Sequence, residues 1–482
     1  MRTIGPSRRH SLAASYDGRV DPLEGYQRLI QYWGVMFDRR NELATLDCMN
    51  FSLEQFPEVL SVAEVAAIQR IESGYASPDG EPELGELIRR VELARLLRHS
   101  PDRGAAHRAL VARAGTGCGA GTSGAIMAVM RAILRLPPER FPRANRSPEA
   151  VFVVPNYPVC AAQLDQLRPG LTPRYVHARR ENGYLATYDE VVAAVTRQTV
   201  MVALTYPSNP AQTTYEGTGA DELARIVRFC QAEGIFLLVD NIYQELVYGP
   251  GRRFEEVFAY ADGPDYVVKF YGPSKDTPFY AGYRIGYWFG DPRLQAGARE
   301  GLWAAENSAN PTSMAMFAMA LLFRTLRADD APLRLDDVRH LETGVFGWGR
   351  QVDRRACFDA LSSARLFERF NRRLDHAEAA QRTAVRRVRQ RVEELPSLAE
   401  VVNGDIGNVC LIRVDPAWFD GSDVDLFHLL ADHGLAVLPG NAFGLPLAAG
   451  EAWFRMTLVH ASIDTLLERL ERVDAVVRTA RG

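Results

Sequence analysis

Short apolar runs alternate with amphipathic stretches between about residues 120 and 290. The apolar runs predict strands at residues 151–155, 199–206, 234–239, 265–271 and 283–289. Apolar residues at three- and four-residue spacing predict helices at 125–134, 160–167 and 221–233. Strands that alternate with helices in this way indicate βαβ units, and therefore a mostly parallel sheet covered by helices on both faces.

The pattern changes on either side of this region. It predicts helices over about 85–115, 311–326 and 464–480, and strands at 401–414 and 435–439. Residues 327–395 are dense in arginine and acid, which favours a solvated helical insertion over a binding role. We therefore predict an α/β protein with an N-terminal arm and part of a small domain over 1–75. This part is followed by a large domain over 76–310. A smaller α+β C-terminal domain over 311–482 comes last and contains the charged insertion.

Composition narrows the class of protein. The 482 residues are 47% hydrophobic and 24% charged, with a net charge of −4, which is typical of a soluble globular protein and gives no reason to expect nucleic acid or a membrane surface as a partner. No apolar run is long enough to cross a bilayer, and no apolar segment follows the arginines of the first ten residues, so we expect no secretory signal. The six cysteines are scattered without a CxxC pair, which favours reduced thiols, a cytoplasmic location and no metal site.

Lys275 is the residue that suggests chemistry most directly. It follows Ser274, short predicted strands flank it, and the sequence Gly-Tyr-Arg-Ile-Gly comes a few residues later. The chain strongly prefers arginine, so a retained lysine suggests an amine that must lose its proton and attack an aldehyde. A solvent-facing loop lysine is the alternative interpretation.

Polar side chains follow other predicted strands. Asp240 ends a strongly apolar run, where open α/β sheets bind ligands. Its carboxylate could keep a pyridinium nitrogen protonated, or it could cap a following helix. Tyr243, three residues on, could reach the phenolic oxygen of such a ring. Asn209, in an Asn-Pro pair, could donate to the same oxygen or belong to a plain loop.

Three further segments carry candidate binding groups. The glycine-rich stretch 117–125 predicts a loop that opens the following helix, so backbone N–H groups and the hydroxyls of Thr122 and Ser123 could hold a phosphate. Tyr157 follows a buried strand and could stack on a flat ring, or pack within its loop. Arg455 lies between apolar residues on a predicted strand, where its partner could be a substrate carboxylate or a structural acid.

The order of these segments resembles the class I/II aminotransferases, which are fold type I enzymes that depend on pyridoxal 5′-phosphate (PLP). The resemblance runs from about residue 46 to the C-terminus. It implies that Lys275 carries PLP as a Schiff base, that Asp240 holds the pyridine nitrogen, and that Tyr243 and Asn209 contact the phenolic oxygen. It also implies that Arg455, with Asn209, binds the substrate's α-carboxylate.

The same resemblance implies a set of contacts to the rest of the cofactor. It places the phosphate against Gly121, Thr122, Ser123 and Arg284, and the ring against Tyr157. Tyr75 would reach the cofactor phosphate of a partner subunit, which implies a homodimer with its active site at the interface.

Four features depart from the family pattern. Gly272 stands where the family has serine or threonine three residues before the lysine, and Ser274 could supply the missing hydroxyl. The spacing from Lys275 to Arg284 is one residue longer than usual, and Ala-Gln at 211–212 follows Asn-Pro where the family has Thr/His-Gly. The charged stretch 327–395 is also longer. These features bear on the reaction more than on the cofactor.

The resemblance implies catalysis through an external aldimine and a quinonoid, most simply an aminotransferase reaction on an amino acid. The alternative is a lyase similar to aminocyclopropane-carboxylate synthase, or a carbon–carbon-bond-forming enzyme of specialised metabolism. Such an enzyme would use β/γ-elimination or replacement, with S-adenosylmethionine as one candidate substrate. The Ser-Lys-Asp triplet at 274–276 also occurs in that subgroup. A transcription regulator with the same fold is ranked last, because no helix-turn-helix pattern is visible.

Overall fold

A computed structural model describes most of the chain between residues 60 and 480. The described residues are 60–69, 76–137, 148–168, 171, 173–247, 252–277, 280–305, 308–331, 333, 359–435, 437–445, 451–459 and 462–480. They form a seven-stranded sheet and a four-stranded sheet, both packed against helices.

The larger sheet occupies the first part of the described chain. Its strands are β1 (Gly115–Ala120), β2 (Glu149–Val154), β3 (Arg174–His177), β4 (Thr199–Thr205), β5 (Phe236–Asp240), β6 (Val267–Tyr271) and β7 (Ile285–Gly290). The helices of this part are α1 (Val62–Gln69), α2 (Pro82–His99), α3 (Gly104–Arg113), α4 (Gly121–Leu134), α5 (Val159–Leu167), α6 (Tyr188–Ala194), α7 (Thr218–Glu233), α8 (Gln295–Ala304) and α9 (Pro311–Ala328).

The smaller sheet lies in the C-terminal part. Its strands are β8 (Leu398–Val402), β9 (Val409–Val414), β10 (Leu438–Pro439) and β11 (Ala452–Thr457). The helices around it are α10 (Ala364–Glu394), α11 (Asp423–Asp432) and α12 (Ile463–Thr479). The predicted domain boundaries after residues 75 and 310 stay a prediction.

The strand order of the larger sheet is β1-β7-β6-β5-β4-β2-β3, and only β7 runs antiparallel to its neighbours. Strand β5 shows why this sheet is buried on both faces. Leu237 and Val239 pack into one apolar core, whereas Phe236 and Leu238 pack into the core on the opposite face. The prediction of a mostly parallel sheet covered on both faces by helices is therefore confirmed.

Strand β1 corrects the prediction that the glycine-rich stretch is a loop. Its residues are buried and pair with β7 across the whole strand. A Cβ on Gly117 would lie 2.6 Å from Trp288 Nε1, and one on Gly115 would lie 2.8 Å from Trp288 Cη2. The loop prediction is wrong over 117–120, where the glycines make room for the Trp288 side chain, and residues 121–124 already belong to α4.

Helix α10 corrects the picture of the charged stretch. Its first half buries Phe370 and Leu374 in the core that also contains α9, and its second half buries Val388 and Val392 against the smaller sheet. The charged residues therefore cover the outer face of a helix that joins two cores, and this part is not a solvated appendage. Residues 334–358 of the stretch lie outside the described residues.

The prediction of one strand over residues 401–414 is also wrong. Strands β8 and β9 pair antiparallel, and the loop 403–408 turns the chain between them. Asn403 holds this loop, because its Nδ2 donates to the carbonyls of Ile406 (2.9 Å) and Val409 (2.7 Å). The loop matters because it reaches the edge of the larger sheet.

Two expectations from composition concern the chain as a whole. Among the described residues, Cys118, Cys160, Cys230 and Cys410 form no disulfide bond. No helix in the described ranges is both long enough and apolar enough to cross a membrane.

Candidate active site

The residues named from the sequence converge at one edge of the larger sheet. The carboxyl ends of β4 and β5 lie side by side, with Thr205 opposite Asp240, and Asp240 lies opposite Phe270 of β6. Strand β7 runs the other way, so its first residue, Ile285, reaches the same edge and lies opposite Ala120. Loops that follow or precede these strand ends therefore meet around Asp240.

Asp240 carries the most perturbed carboxyl of this edge. Burial raises its pKa from 3.8 to about 7, and this effect exceeds the opposing effects of a hydrogen bond from Ile242 N (3.2 Å) and of the Lys275 charge. The carboxylate caps a local turn, and the chain continues into the short 3₁₀ segment Gln244–Leu246 rather than an α-helix. An added cation at this position would offset the cost of ionising Asp240.

Lys275 lies in the turn that follows β6 and is half-buried. Thr277 N donates to Pro273 O (3.0 Å) across this turn. The Lys275 charge lowers the pKa of Asp240, so the amine lies within electrostatic range of that carboxyl. These two side chains form the centre of the site.

The sequence contains only two lysines, which is a stronger signal than its general preference for arginine. The other lysine, Lys269, is fully buried on β6, where its Nζ lies 3.0 Å from Glu92 and 2.8 Å from Glu256. Lys269 is thus locked in a buried ion pair network. Lys275 is the lysine at the ligand-binding edge.

The start of α4 and Arg284 form a cradle for an anion. Gly121 begins the helix with φ +74°, and a Cβ there would lie 2.9 Å from Arg284 Nη2. A Cβ on Gly286 would lie 2.5 Å from Thr122 N, so the helix start and β7 approach very closely. Arg284 is exposed and Ser123 is half-buried. A helix N-terminus that faces a guanidinium is suited to a phosphate.

The structure explains why glycine stands at position 272, where the resemblance implies serine or threonine. A Cβ on Gly272 would lie 2.8 Å from Ile285 O and 3.2 Å from Thr122 Cγ2. Any larger side chain would therefore push β7 away from α4. Ser274, two residues on, is half-buried beside Lys275 and keeps a hydroxyl in this turn.

The smaller sheet contributes Arg455 of β11. This guanidinium is buried, its Nη1 donates to Asn209 Oδ1 (3.3 Å), and its Cζ lies 5.2 Å from the centre of the Phe443 ring. The contact joins the Asn-Pro loop after β4 to the smaller sheet. Two residues that are 246 positions apart thus meet at the same site.

The structure describes two of the three tyrosines that were named from the sequence. Tyr243 is buried and packs with Ile242, Leu246 and Ala377 of α10. Tyr157 is half-buried, and its backbone N donates to Asn156 Oδ1 (2.7 Å). Tyr75 lies outside the described residues.

Two residues beside Lys275 were not identified as site residues from the sequence. Asn408 Nδ2 donates to the carbonyl of Lys275 (3.0 Å), and Arg324 Nη2 donates to the carbonyl of Asp276 (2.6 Å). Nothing in the local sequence marks either residue, because each is brought to the turn from a distant part of the chain. Gln212, known from the sequence only as a departure from the Asn-Pro motif, contacts Asn408.

The comparison with protein families identifies the class of protein. The profile of the aminotransferases of class I and II matches residues 48–472, which is most of the chain. The chain therefore belongs to the class I and II aminotransferase family, a family of PLP-dependent enzymes with the fold type I architecture.

Individual relatives carry related names. Aspartate aminotransferase of Geobacillus stearothermophilus is 32% identical over 31% of this chain and 36% of its own length. Aspartate aminotransferase of Bacillus sp. (strain YM-2) is 23% identical over 69% of this chain and 71% of its own length. The first of these alignments thus spans about a third of the relative. Aspartate aminotransferase from Thermus thermophilus with maleate has the same fold, with a TM-score of 0.61 and 19% identity over 94% of this chain and 96% of that one.

Proposed function

We propose that this protein is an aminotransferase, which moves an amino group from an amino acid to a 2-oxo acid with PLP bound at the edge of the larger sheet. The observation that carries the proposal is the Asp240 carboxyl, whose pKa of about 7 reflects burial beside Lys275. A pyridinium nitrogen would supply the cation that this carboxyl lacks, and Lys275 would supply the amine.

The described geometry supports a proposal for the remaining cofactor contacts. The phosphate would lie in the cradle formed by Gly121 and Arg284, with hydroxyls from Thr122, Ser123 and Ser274 around it. The helix start would donate backbone N–H groups to this phosphate, and the Arg284 guanidinium would balance its negative charge.

The ring contacts would come from three loops. Tyr157 would stack on one face of the ring, and Asn209 and Tyr243 would donate to its phenolic oxygen. The side-chain oxygen Oδ1 of Asn209 accepts a hydrogen bond from Arg455. This bond orients the Asn209 amide and leaves its Nδ2 to donate to the cofactor in this proposal. Tyr243 is held in place by packing against α10.

Substrate recognition would rest on Arg455 with Asn209. The Arg455 guanidinium is buried, and a carboxylate could form two parallel hydrogen bonds with it. The bound cofactor supplies an electron sink that stabilises negative charge at the substrate's Cα. The free amine of Lys275 would take the proton from the substrate's Cα. It would return that proton at the cofactor's C4′.

The Ser-Lys-Asp triplet gives no specific support to the alternative lyase reaction. Asp276 is buried, and its carboxylate accepts from Tyr271 OH (3.0 Å), Thr277 Oγ1 (2.7 Å) and Arg324 Nη2 (3.2 Å). These bonds direct the carboxylate into the protein interior. Since Asp276 serves the structure of the turn, the triplet adds no extra acid or base to the reaction, and transamination is favoured.

The test is a spectrum of the purified protein with PLP, followed by borohydride reduction and peptide mapping. We expect a visible band, with the reduced cofactor on Lys275 and none on Lys269, and no such band in Lys275→Ala. Amino acids, including the aspartate and LL-diaminopimelate of the relatives' names, are then added one at a time. Pyridoxamine phosphate as product supports transamination, whereas a 2-oxo acid or a cyclic product without it supports the lyase reaction.

The proposed assembly is a homodimer in which Tyr75 reaches the partner's cofactor phosphate. Light scattering should give twice the chain mass of 53.7 kDa. A monomer that retains full activity would contradict this part of the proposal.

A further inference from the structure

Two consecutive backbone carbonyls beside the cofactor lysine are held by side chains from distant elements. The carbonyl of Lys275 accepts from Asn408 Nδ2 (3.0 Å), and the carbonyl of Asp276 accepts from Arg324 Nη2 (2.6 Å). Both carbonyls lie in a turn between two strands, where no sheet ladder pairs them. The two side chains therefore satisfy groups that a helix or sheet would otherwise pair.

Arg324 is firmly anchored on α9. Its side chain is only 8% exposed, and its Nε and Nη2 also donate to Thr277 Oγ1 (3.1 and 3.0 Å). Its Nη2 contacts Asp276 Oδ1 as well (3.2 Å), and Tyr271 OH holds the other oxygen of that carboxylate (3.0 Å). One buried guanidinium thus ties together the backbone and the side chains of the two residues after Lys275.

Asn408 is oriented by hydrogen bonds between its own loop, 403–408, and the Asn-Pro loop that contains Gln212. Its backbone N donates to Gln212 Oε1 (3.3 Å), and Gln212 Nε2 donates to Ser208 O (2.8 Å) in the Asn-Pro loop. Gln212 has φ +50°, a conformation that favours glycine, and a Cβ on Gly407 would overlap its Oε1. The glutamine in the left-handed region costs about 1–2 kcal/mol, which its buried hydrogen bonds offset.

Asn408 and Arg324, which together we call the clamp, act on the turn where this chain departs from its family. Gly272 provides no hydroxyl before the lysine, and the segment from Lys275 to Arg284 is one residue longer than usual. The amine of a lysine sits at the end of a flexible four-carbon stem, so its position depends on where the backbone is fixed. Asn408 and Arg324 provide two fixed points from outside the turn.

We infer that Asn408 and Arg324 are positioning residues, which fix the backbone of Lys275 so that its amine meets the cofactor and the substrate's Cα in productive geometry. The inference rests on the proposed function, because it concerns the lysine that would carry PLP. Neither residue is assigned a contact with the reacting atoms.

The test compares Asn408→Ala with Asn403→Ala in the full-length enzyme with PLP bound. Asn403 is a matched control, because its amide holds the same loop through Ile406 O and Val409 O. Asn408→Leu is a second variant, which keeps the approximate volume of the side chain but cannot donate. The measurements are the rate of the half-reaction at saturating amino acid, its KM, and the pH at which the visible band of the bound cofactor titrates.

We expect Asn408→Ala and Asn408→Leu to slow the half-reaction between about tenfold and a hundredfold, with little change in KM, because the reacting groups are misplaced. The pH midpoint of the visible band should move in both variants, since the environment of the lysine nitrogen changes. Asn403→Ala should lower the unfolding midpoint but leave the pH midpoint of the band in place.

Arg324→Lys tests the other side of the clamp. A lysine keeps the charge but loses the planar fork that reaches Asp276 and Thr277 together. Its control is Arg327→Lys on the same helix, since Arg327 contacts Asp375 (2.7 Å) and Glu378 (3.0 Å) of α10. We expect the slowed half-reaction and the shifted band only in Arg324→Lys.

The outcomes separate the inference from the function on which it rests. A wild-type enzyme without a band traceable to Lys275 would overturn the proposed function. The inference alone would be overturned by a different result. In it, the wild-type band is normal, and Asn408→Ala and Asn408→Leu have the same half-reaction rate and pH midpoint as Asn403→Ala. If Arg324→Lys fails to fold, the two Asn408 variants still test the inference.

Discussion

Asp240→Asn should stabilise the cofactor-free protein at neutral and alkaline pH while damaging the enzyme with PLP bound. The wild-type Asp240 is half-buried, and burial raises its pKa from 3.8 to about 7 despite the opposing effect of the Lys275 charge. Asparagine keeps an oxygen that can accept from Ile242 N, but it never has to ionise.

The magnitude follows from the pKa difference between the folded and unfolded states. The folded state holds the Asp240 proton more tightly, so its contribution to stability is present below pH 3.8 and is lost as the pH rises through about 7. At about 1.36 kcal/mol per pKa unit, the loss is at most about 4 kcal/mol above pH 7. The free energy of unfolding of Asp240→Asn should therefore exceed that of the wild type at pH 8, and the two should converge towards pH 4.

The assay is urea unfolding of cofactor-free protein at several pH values between 4 and 8, for both variants. Saturation with PLP should reverse the order, because the pyridinium nitrogen then pairs with the wild-type carboxylate. A difference between the two proteins that does not depend on pH would refute the reasoning, even if Asp240→Asn is inactive.

Three further changes have defined outcomes. Lys269→Met should cost about 3–5 kcal/mol in urea unfolding, since it removes the cation between the buried carboxylates of Glu92 and Glu256, of which Glu92 keeps Arg95, and a loss below about 1 kcal/mol would contradict this. Gly117→Ala should lower stability by about 1–3 kcal/mol, since its Cβ would lie 2.6 Å from Trp288 Nε1, and an unchanged unfolding midpoint would show that the strand can shift. Arg455→Met should raise KM for amino acids by at least about tenfold while leaving the visible band with PLP intact, because the lost ion pair is worth about 1.5–3 kcal/mol; an unchanged KM would place the substrate carboxylate elsewhere.

Much of the site could be predicted because its residues lie at the ends of recognisable strands. The apolar run that ends at Asp240 predicts a buried strand, and parallel strands place their carboxyl ends at one edge. Asn209, Asp240, Lys275 and Arg284 therefore share that edge, whatever the details of the loops between them. Their order along the chain was sufficient to reveal the family resemblance.

Other features depended on residues that are distant in sequence. The glycines of β1 are locally compatible with a loop or a strand, and the Trp288 side chain on the neighbouring strand decides between them. The charges of α10 suggested a solvated insertion, because the stripe that contacts two different cores is narrow compared with its charged surface.

The sequence by itself determined the alternation of strands and helices, and with it the edge at which Asp240 and Lys275 meet. Only the tertiary structure decided how Lys275 is held. Asn408 lies 133 residues from it, and Arg324 lies 48 residues from Asp276. Local periodicity describes which face of an element is buried, but it carries no information about which distant side chain will pair with a given backbone carbonyl. That pairing depends on how the two sheets and α9 pack together.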